Sequence, residues 1–384
     1  MKLYLLPIGL GIWMCATGVA SPPPVAPSTL GTVKSRAIVF EDQNTDPYDR
    51  TNLYGFNHAP SATFLGDHRV MSVWFSGPFE GSVHQVVLGA ISEDDGKTWG
   101  PATVVNDTPH VSDFDPGFID AGDRTLLFFS NGRWEKQPSL GPSKGGKKQT
   151  GVESFHMLLR TSDDQGRTWS EPREVGASPG WNCRSNGIKL CNGTLLIPTH
   201  HLKFPHTSSV LLSSDDGNTW TRGPDINTPD KVGAGEPSVA ELDNGTLVMV
   251  LRTLDGNLWL TRSFDHGHTW AEPERQGLPA ATSSANLYYT SDGKLVLTHN
   301  PTPPGLRTKL TLRVSKDAGR TWSEPMVLAE VEPTTEDEAT WSRQVCYPSV
   351  CELPDGVLLV LWADIEISAD SQSGVIQSAR VHLK

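Results

Sequence analysis

The 384-residue sequence is short of cysteine, of positive charge and of long apolar runs, and each shortage removes a class of protein. Five cysteines in this length are too few for a disulfide-built scaffold. Thirty-two basic against 44 acidic side chains give a net charge of −12, which argues against a nucleic-acid or anionic-membrane partner. An anionic substrate would then have to be held by a local cluster of arginines. The apolar stretch Leu3 to Trp13, preceded by Lys2, is too short for a bilayer span. With Gly18-Val19-Ala20 before Ser21 it reads as a signal peptide over residues 1–20, cut after Ala20, so the expectation is a secreted or periplasmic protein that loses Cys15 on maturation. Residues 21–32 (SPPPVAPSTLGT) read as a Pro-rich extended linker, and 33–384 as the folded domain.

Glycine, proline and tryptophan are abundant instead. The 36 Gly and 29 Pro make about 17 % of the chain, against an average usage near 12 %, and 12 Trp add a heavy aromatic load. Frequent turns with recurring aromatic anchors are a β pattern.

The pattern is periodic. Ser-x-Asp-x-Gly-x-Thr-Trp occurs five times, at Ser92–Trp99, Ser162–Trp169, Ser213–Trp220, Ser263–Trp270 and Ser315–Trp322, with Trp-to-Trp spacings of 70, 51, 50 and 52. A second motif, two apolar runs around a Gly-centred turn, occurs six times: Thr63–Phe75, Phe118–Ser130, Ile188–His200, Ala240–Arg252, Leu287–His299 and Cys351–Ala363. Asn-Gly and Asp-Gly accept the positive φ of tight turns, so each run reads as a β-hairpin. In each box Asp can accept from turn amides, Gly takes the left-handed residue and Trp plugs between sheets. A four-stranded unit of about fifty residues cannot bury both faces alone, whereas six stacked around an axis can. The sequence therefore predicts an all-β, six-bladed β-propeller, its sixth blade lacking a box and closed by an N-terminal strand near Arg36–Phe40. The boxes read as architecture rather than calcium sites, since no bidentate Glu follows at EF-hand spacing. Gly132 to Thr150 reads as a polar surface insertion and not as strand.

In a propeller the innermost strands start at one mouth of the central channel. The polar residues there are Asn57, His58, Asp113, Asp115, Arg184, Asn186, Glu236, Asn286 and Tyr347, and a polar start in all six blades points to a polar site.

Boxes and strand starts together resemble the sialidase (neuraminidase) superfamily, specifically its bacterial BNR/Asp-box members, over Arg36 to Lys384. The segment Glu236 to Arg252 carries the sharper likeness: the resemblance implies a catalytic Glu opening the strand and a substrate-binding Arg closing its partner. It further implies a tyrosine nucleophile, Tyr347 in Cys346-Tyr347-Pro348-Ser349, with Glu236 as its base. A phenol suits an anomeric carbon that carries a carboxylate, which would repel an anionic nucleophile, and sialidases are the known exception to the two-carboxylate rule. A further arginine is expected at Arg307, with Arg343 as competitor, because guanidinium groups grip a carboxylate bidentately.

Two positions depart from the family. His58-Ala59-Pro60 stands where sialidases have Arg-Ile-Pro, so either Arg184 takes over from the missing arginine or the sugar is not an ordinary terminal sialic acid. Glu80 stands where the acid/base is usually Asp, with Asp113 as the alternative acid. The resulting expectation is a secreted exo-glycosidase that hydrolyses a terminal acidic sugar with retention. Its catalytic residues would be Tyr347, Glu236 and Glu80, and its substrate-binding residues Arg252, Arg307, His58, Arg184 and Asp113. Its partner would be a glycan, as a monomer with no metal and no cofactor. The competing expectations are a hydrolase or lyase for another acidic sugar of the uronate type, and a non-catalytic glycan-binding propeller. Cys183, Cys191, Cys346 and Cys351 are expected to be mostly free and buried.

Overall fold

The computed structural model describes residues 28–43, 53–134, 152–176, 180–332, 343–367 and 372–384. The expected signal peptide, most of the linker and most of the 132–150 insertion lie outside them. Every regular element among the described residues is a β-strand, and no helix there is long and apolar enough to cross a membrane.

Six antiparallel sheets form the six expected blades. Blade 1 comprises Phe56–Gly66, Arg69–Gly77, Val86–Ser92 and Thr103–Asn106, and blade 2 Ser112–Asp120, Thr125–Trp134, Val152–Ser162 and Arg173–Glu174. Blade 3 has an inner strand broken into Trp181–Cys183 and Ile188–Lys189, followed by Leu195–His201, Thr207–Ser213 and Thr221–Arg222. Blade 4 comprises Gly235–Glu241, Leu247–Arg252, Asn257–Ser263 and Glu274–Pro279. Blade 5 comprises Asn286–Tyr289, Leu295–His299, Lys309–Ser315 and Met326–Glu330. Blade 6 takes Arg343–Glu352, Leu358–Ile367 and Gln372–Leu383 from the C-terminus and its outer strand, Gly31–Phe40, from the N-terminus. This closure is the one expected, with the strand beginning at Gly31, inside the stretch read as linker. Sealing the ring with both ends of the chain removes the edge that an open sheet would expose.

One expectation about the insertion is corrected. Gly132 to Trp134 are not loop but extend the second strand of blade 2, where Gly132 pairs with both Ser112 and Phe155.

The core lies between blades. Leu196 and Val210 of blade 3, for example, pack against Val239, Leu247 and Met249 of blade 4, and Trp74 and Phe75 of blade 1 against Leu359 and Leu361 of blade 6. The boxes brace the outer turns. In the first, Asp94 accepts from the Thr98 amide (2.8 Å) and hydroxyl (2.7 Å), while the Ser92 hydroxyl accepts from the Gly96 amide (2.8 Å). The other four repeat the same bonds. The box carboxylates are thus largely used up by their own loops.

Candidate active site

Four of the inner strands begin with one local device. Ala59-Pro60, Asp115-Pro116, Glu236-Pro237 and Tyr347-Pro348 each interrupt the ladder, with register shifts between His58 and Ser61, Phe114 and Gly117, Gly235 and Ser238, and Cys346 and Ser349. The residue before each proline has positive φ: 56° at Ala59, 48° at Asp115, 39° at Glu236 and 57° at Tyr347. A bulge of this kind re-aims a side chain that the two-residue alternation of a strand would send elsewhere.

Three of those side chains carry chemistry, and two of them touch. The Tyr347 hydroxyl donates to Glu236 Oε1 at 2.8 Å and accepts from an Arg252 terminal nitrogen at 2.9 Å. The same Arg252 nitrogen bonds Glu236 Oε1, which closes a triangle of phenol, carboxylate and guanidinium. The hairpin explains it: Gly235 pairs with Arg252 across the first two strands of blade 4, so both ends reach the same mouth. Two more arginines flank the Tyr347 ring. Arg184 lies 4.8 Å from its centroid and donates to the Tyr347 carbonyl at 3.1 Å; Arg307 lies 5.3 Å away and is held by the Thr282 carbonyl (2.7 Å) and Gln344 Oε1 (3.2 Å). Of the two arginines weighed for the last position, Arg343 pairs instead with Asp364 at 3.5 Å.

His58 is also at this place. Its ring centroid is 4.2 Å from that of Tyr347, between Phe56 and Phe75, and its Nε2 lies 3.7 Å from Cys346 Sγ. Burial, then the charges of Arg307 and Arg184, hold its pKa well below the ordinary histidine value, so His58 is neutral. It therefore adds no cation to the cluster.

Electrostatics separates the acids. Burial is the largest single influence and would raise the Glu236 pKa, but Arg252, His200, the Tyr347 hydrogen bond and Arg184 together outweigh it and hold the pKa at about 2. Tyr347 moves the other way: burial and the Glu236 charge push its phenol up, against the pull of Arg252 and Arg307. The pair is therefore carboxylate and phenol, a base beside the proton it would take. Glu80, in the turn after the second strand of blade 1, has its backbone N–H on Gln372 Oε1 at 3.0 Å. Solvent reaches it, yet the surrounding protein raises its pKa, and it feels the charges of Arg307, Glu236 and Arg252. A carboxyl that keeps its proton longer than usual suits a proton donor.

Asp113 is corrected. Its carboxylate is turned into the blade, where Asn106 (2.7 Å), the Thr108 amide (3.2 Å) and Asn131 hold it, and the structure does not bring it to the cluster. Asp115, two residues on, takes its place: burial raises its pKa to about 7, opposed by the charge of Arg184, and Asn182 donates to it at 2.8 Å. The shared X-Pro-Ser/Gly tripeptide would have picked out Asp115, because it aligns Asp115 with Glu236 and Tyr347. Asn57, Asn186 and Asn286 are rivets between blades rather than site groups. Asn57 donates to the Gly374 carbonyl (2.9 Å), Asn186 to the Ala62 carbonyl (2.8 Å) and Asn286 to Ser238 Oγ (3.4 Å).

Several buried polar atoms around the phenol have no partner: Arg184 Nε, Arg252 Nε, His58 Nδ1 and Glu236 Oε2. Native interiors rarely leave such groups unmatched, and their concentration here marks a place that a polar ligand would complete.

Asp115 gives a prediction about pH. Its folded-state pKa of about 7 lies above the ordinary 3.8, so its contribution to stability is full below pH 3.8 and is lost as pH rises from there to 7. Urea unfolding of the wild type should show the Asp115 contribution falling between pH 4 and 7. Asp115→Asn should flatten that fall by on the order of 1.4 kcal/mol per pH unit over part of the window. Identical slopes in both proteins would refute the assignment.

The chain matches the BNR repeat-like domain family over residues 68–360. It is 27 % identical over 289 residues to a sialidase of Bacteroides fragilis, an overlap that takes in 68 % of this chain and 52 % of that protein. The chain spans about half the length of the curated relatives it matches. Among solved structures, a protein of unknown function from Dyadobacter fermentans superposes with TM-score 0.73 at 18 % identity, covering 93 % of this chain and all of that one. The NanB sialidase of Streptococcus pneumoniae superposes with TM-score 0.68 at 14 % identity, covering 90 % and 70 %. At these identities the structural likeness is one of fold, whereas the family match takes in about three quarters of the sequence. The chain therefore belongs to the BNR repeat-like domain family, as a sialidase-like member.

Proposed function

We propose that this protein is an exported exo-glycosidase that removes a terminal sialic acid from glycoconjugates with retention of configuration. The observation that carries the reading is the 2.8 Å contact between the Tyr347 hydroxyl and Glu236, with Arg252 bonded to both. A binding-only propeller has no need to set a carboxylate base against a buried phenol.

Tyr347 Oη attacks the anomeric carbon while Glu236 takes the phenolic proton. Glu80 protonates the departing glycosidic oxygen, which leaves with the aglycone. In the second half Glu80, now ionised, takes a proton from water as the water oxygen attacks the same carbon. The bond to Tyr347 breaks and Glu236 returns the proton to the phenolate. Arg307, Arg184 and Arg252 receive the sugar carboxylate, and Arg252 shifts between Glu236 and the substrate as charge moves.

Incubation of the protein with sialyllactose and with a fluorogenic sialoside tests this directly. Free sialic acid should appear with wild-type protein, and none at any pH between 4 and 8 would overturn the reading. N-terminal sequencing of the exported protein should begin at Ser21.

One observation favours a second substrate. His58 is neutral and enclosed by Phe56, Phe75 and Tyr347, so the blade 1 position adds no cation and the third charge of the grip comes from Arg184, on a different blade. Another acidic sugar of the uronate type, with its carboxylate on a different ring carbon, needs a different grip. Turnover of a uronate oligosaccharide in the absence of sialoside turnover would select this reading.

A further inference from the structure

The opposite face of the propeller carries a group of side chains that the catalytic reading does not use. Glu241 ends the inner strand of blade 4, five residues from Glu236 and so roughly 16 Å away along the strand. Cys191 lies in the hairpin turn of blade 3, and His266 in the aspartate box of blade 4. The Cys191 thiol, a Glu241 carboxylate oxygen and a His266 ring nitrogen all lie within 4.8 Å of one another.

Local structure aims the three donors together. Glu241 Oε2 accepts the Cys191 backbone N–H at 2.7 Å, which fixes the carboxylate and leaves Oε1 pointing onward. That Oε1 is buried and has no hydrogen-bond partner, and the same is true of His266 Nδ1, which faces it at 4.0 Å. Two buried polar atoms without a hydrogen-bond partner at that distance, with an exposed thiol beside them, form a cup that a central cation would complete.

The equivalent junction between blades 5 and 6 supplies the contrast. There Glu352 accepts from both the amide and the hydroxyl of Ser291, each at 2.8 Å, and both carboxylate oxygens are satisfied. At the junction between blades 3 and 4 a thiol replaces that hydroxyl. The box position that is Ala318 in the last box is here His266, left-handed in both cases (φ 61° and 57°). A thiol in place of the hydroxyl, together with a histidine from the blade 4 box where the blade 5 box has alanine, thus gives the junction between blades 3 and 4 a sulfur, nitrogen and oxygen donor set.

We infer that Cys191, Glu241 and His266 bind a zinc ion that clasps blade 3 to blade 4, with a water as the fourth ligand. Thiolate, imidazole and carboxylate together favour zinc over calcium or magnesium, which take oxygen donors. Bonds of about 2.0 to 2.3 Å in a tetrahedron bring ligand atoms to about 3.3 to 3.7 Å from one another. The three donors reach that spacing by small side-chain rotations, for which the partly exposed His266 has room. The ion is structural, because the site lies at the far end of the inner strands from Tyr347.

Cobalt tests it without reference to activity. The full chain, stripped with chelator and titrated with Co²⁺, should develop a thiolate-to-cobalt charge-transfer band with one equivalent bound, and Zn²⁺ should abolish the band. Zn²⁺ should also raise the melting temperature. Cys191→Ser and His266→Ala are the informative variants, since Ser291 and Ala318 already occupy the matching positions in this chain and both should fold. Cys191→Ser should lose the band, and each variant should bind zinc at least about tenfold more weakly. Absence of the band in the wild type, or its persistence in Cys191→Ser, would overturn the inference.

Discussion

Tyr347→Phe should lower kcat for a sialoside by at least about 10³-fold, within the range that a lost proton-transfer or nucleophilic partner produces, and leave the fold intact. The substitution removes one oxygen from a well-braced ring. The flanking guanidinium groups of Arg184 and Arg307, the His58 imidazole and the backbone bond from Arg184 to the Tyr347 carbonyl all act on parts of the residue that phenylalanine retains. Glu236 and Arg252 remain paired with each other. The melting temperature should therefore change little, and KM should move far less than kcat, because the sugar carboxylate is held by arginines and not by the phenol. Turnover within tenfold of wild type would show that the hydroxyl is not the nucleophile and would turn attention to Glu236 or to water.

How much of this could be read from the sequence depended on distance along the chain. The boxes and hairpins were legible because their chemistry is local. Ser92, Asp94, Gly96 and Thr98 satisfy one another within seven residues, so the motif reports its own structure. Ring closure by Gly31–Phe40 was legible for a topological reason: five boxes and six hairpins leave one outer strand missing. The choice between Asp113 and Asp115 was not legible by the same means. Strand alternation puts both on one face, and only the bulge at Asp115-Pro116 parts them. A residue before proline is ordinarily extended, yet Ala59, Asp115, Glu236 and Tyr347 are all left-handed, a conformation that costs about 1–3 kcal/mol for a non-glycine residue. Ala59 bears no functional group, so the strain belongs to the blade architecture, and three blades have put chemistry on it. The Cys191, Glu241 and His266 group was illegible for another reason: its members come from a turn, a strand end and a box that only the stacking of blades 3 and 4 brings together.

Arg252→Met should be the most damaging single change, because it removes the cation on which both Glu236 and Tyr347 depend. Both partners are largely buried, with side-chain exposures of 21 % for Arg252 and 12 % for Glu236. Breaking such a pair from one side typically costs about 3–5 kcal/mol, since the remaining charge keeps its desolvation penalty. In the wild type Arg252 is the largest influence opposing that penalty, and the Glu236 pKa stands at about 2; in the variant that opposition is lost and the pKa climbs. The linkage has a definite sign. A carboxylate with a depressed folded-state pKa stabilises fully above its ordinary value near 4.5, and the stabilisation drains away as pH falls toward 2. The stability gap between wild type and Arg252→Met should therefore be widest near pH 7 and narrow by pH 3. Urea unfolding at the two pH values measures it, and a gap that stays constant would mean the loss comes from packing rather than from the ion pair. Sialoside turnover should fall with stability at neutral pH and not recover on acidification, because a protonated Glu236 cannot accept the phenolic proton. Arg307→Met, which leaves the Glu236–Arg252 pair intact, should instead raise KM with a much smaller loss of stability.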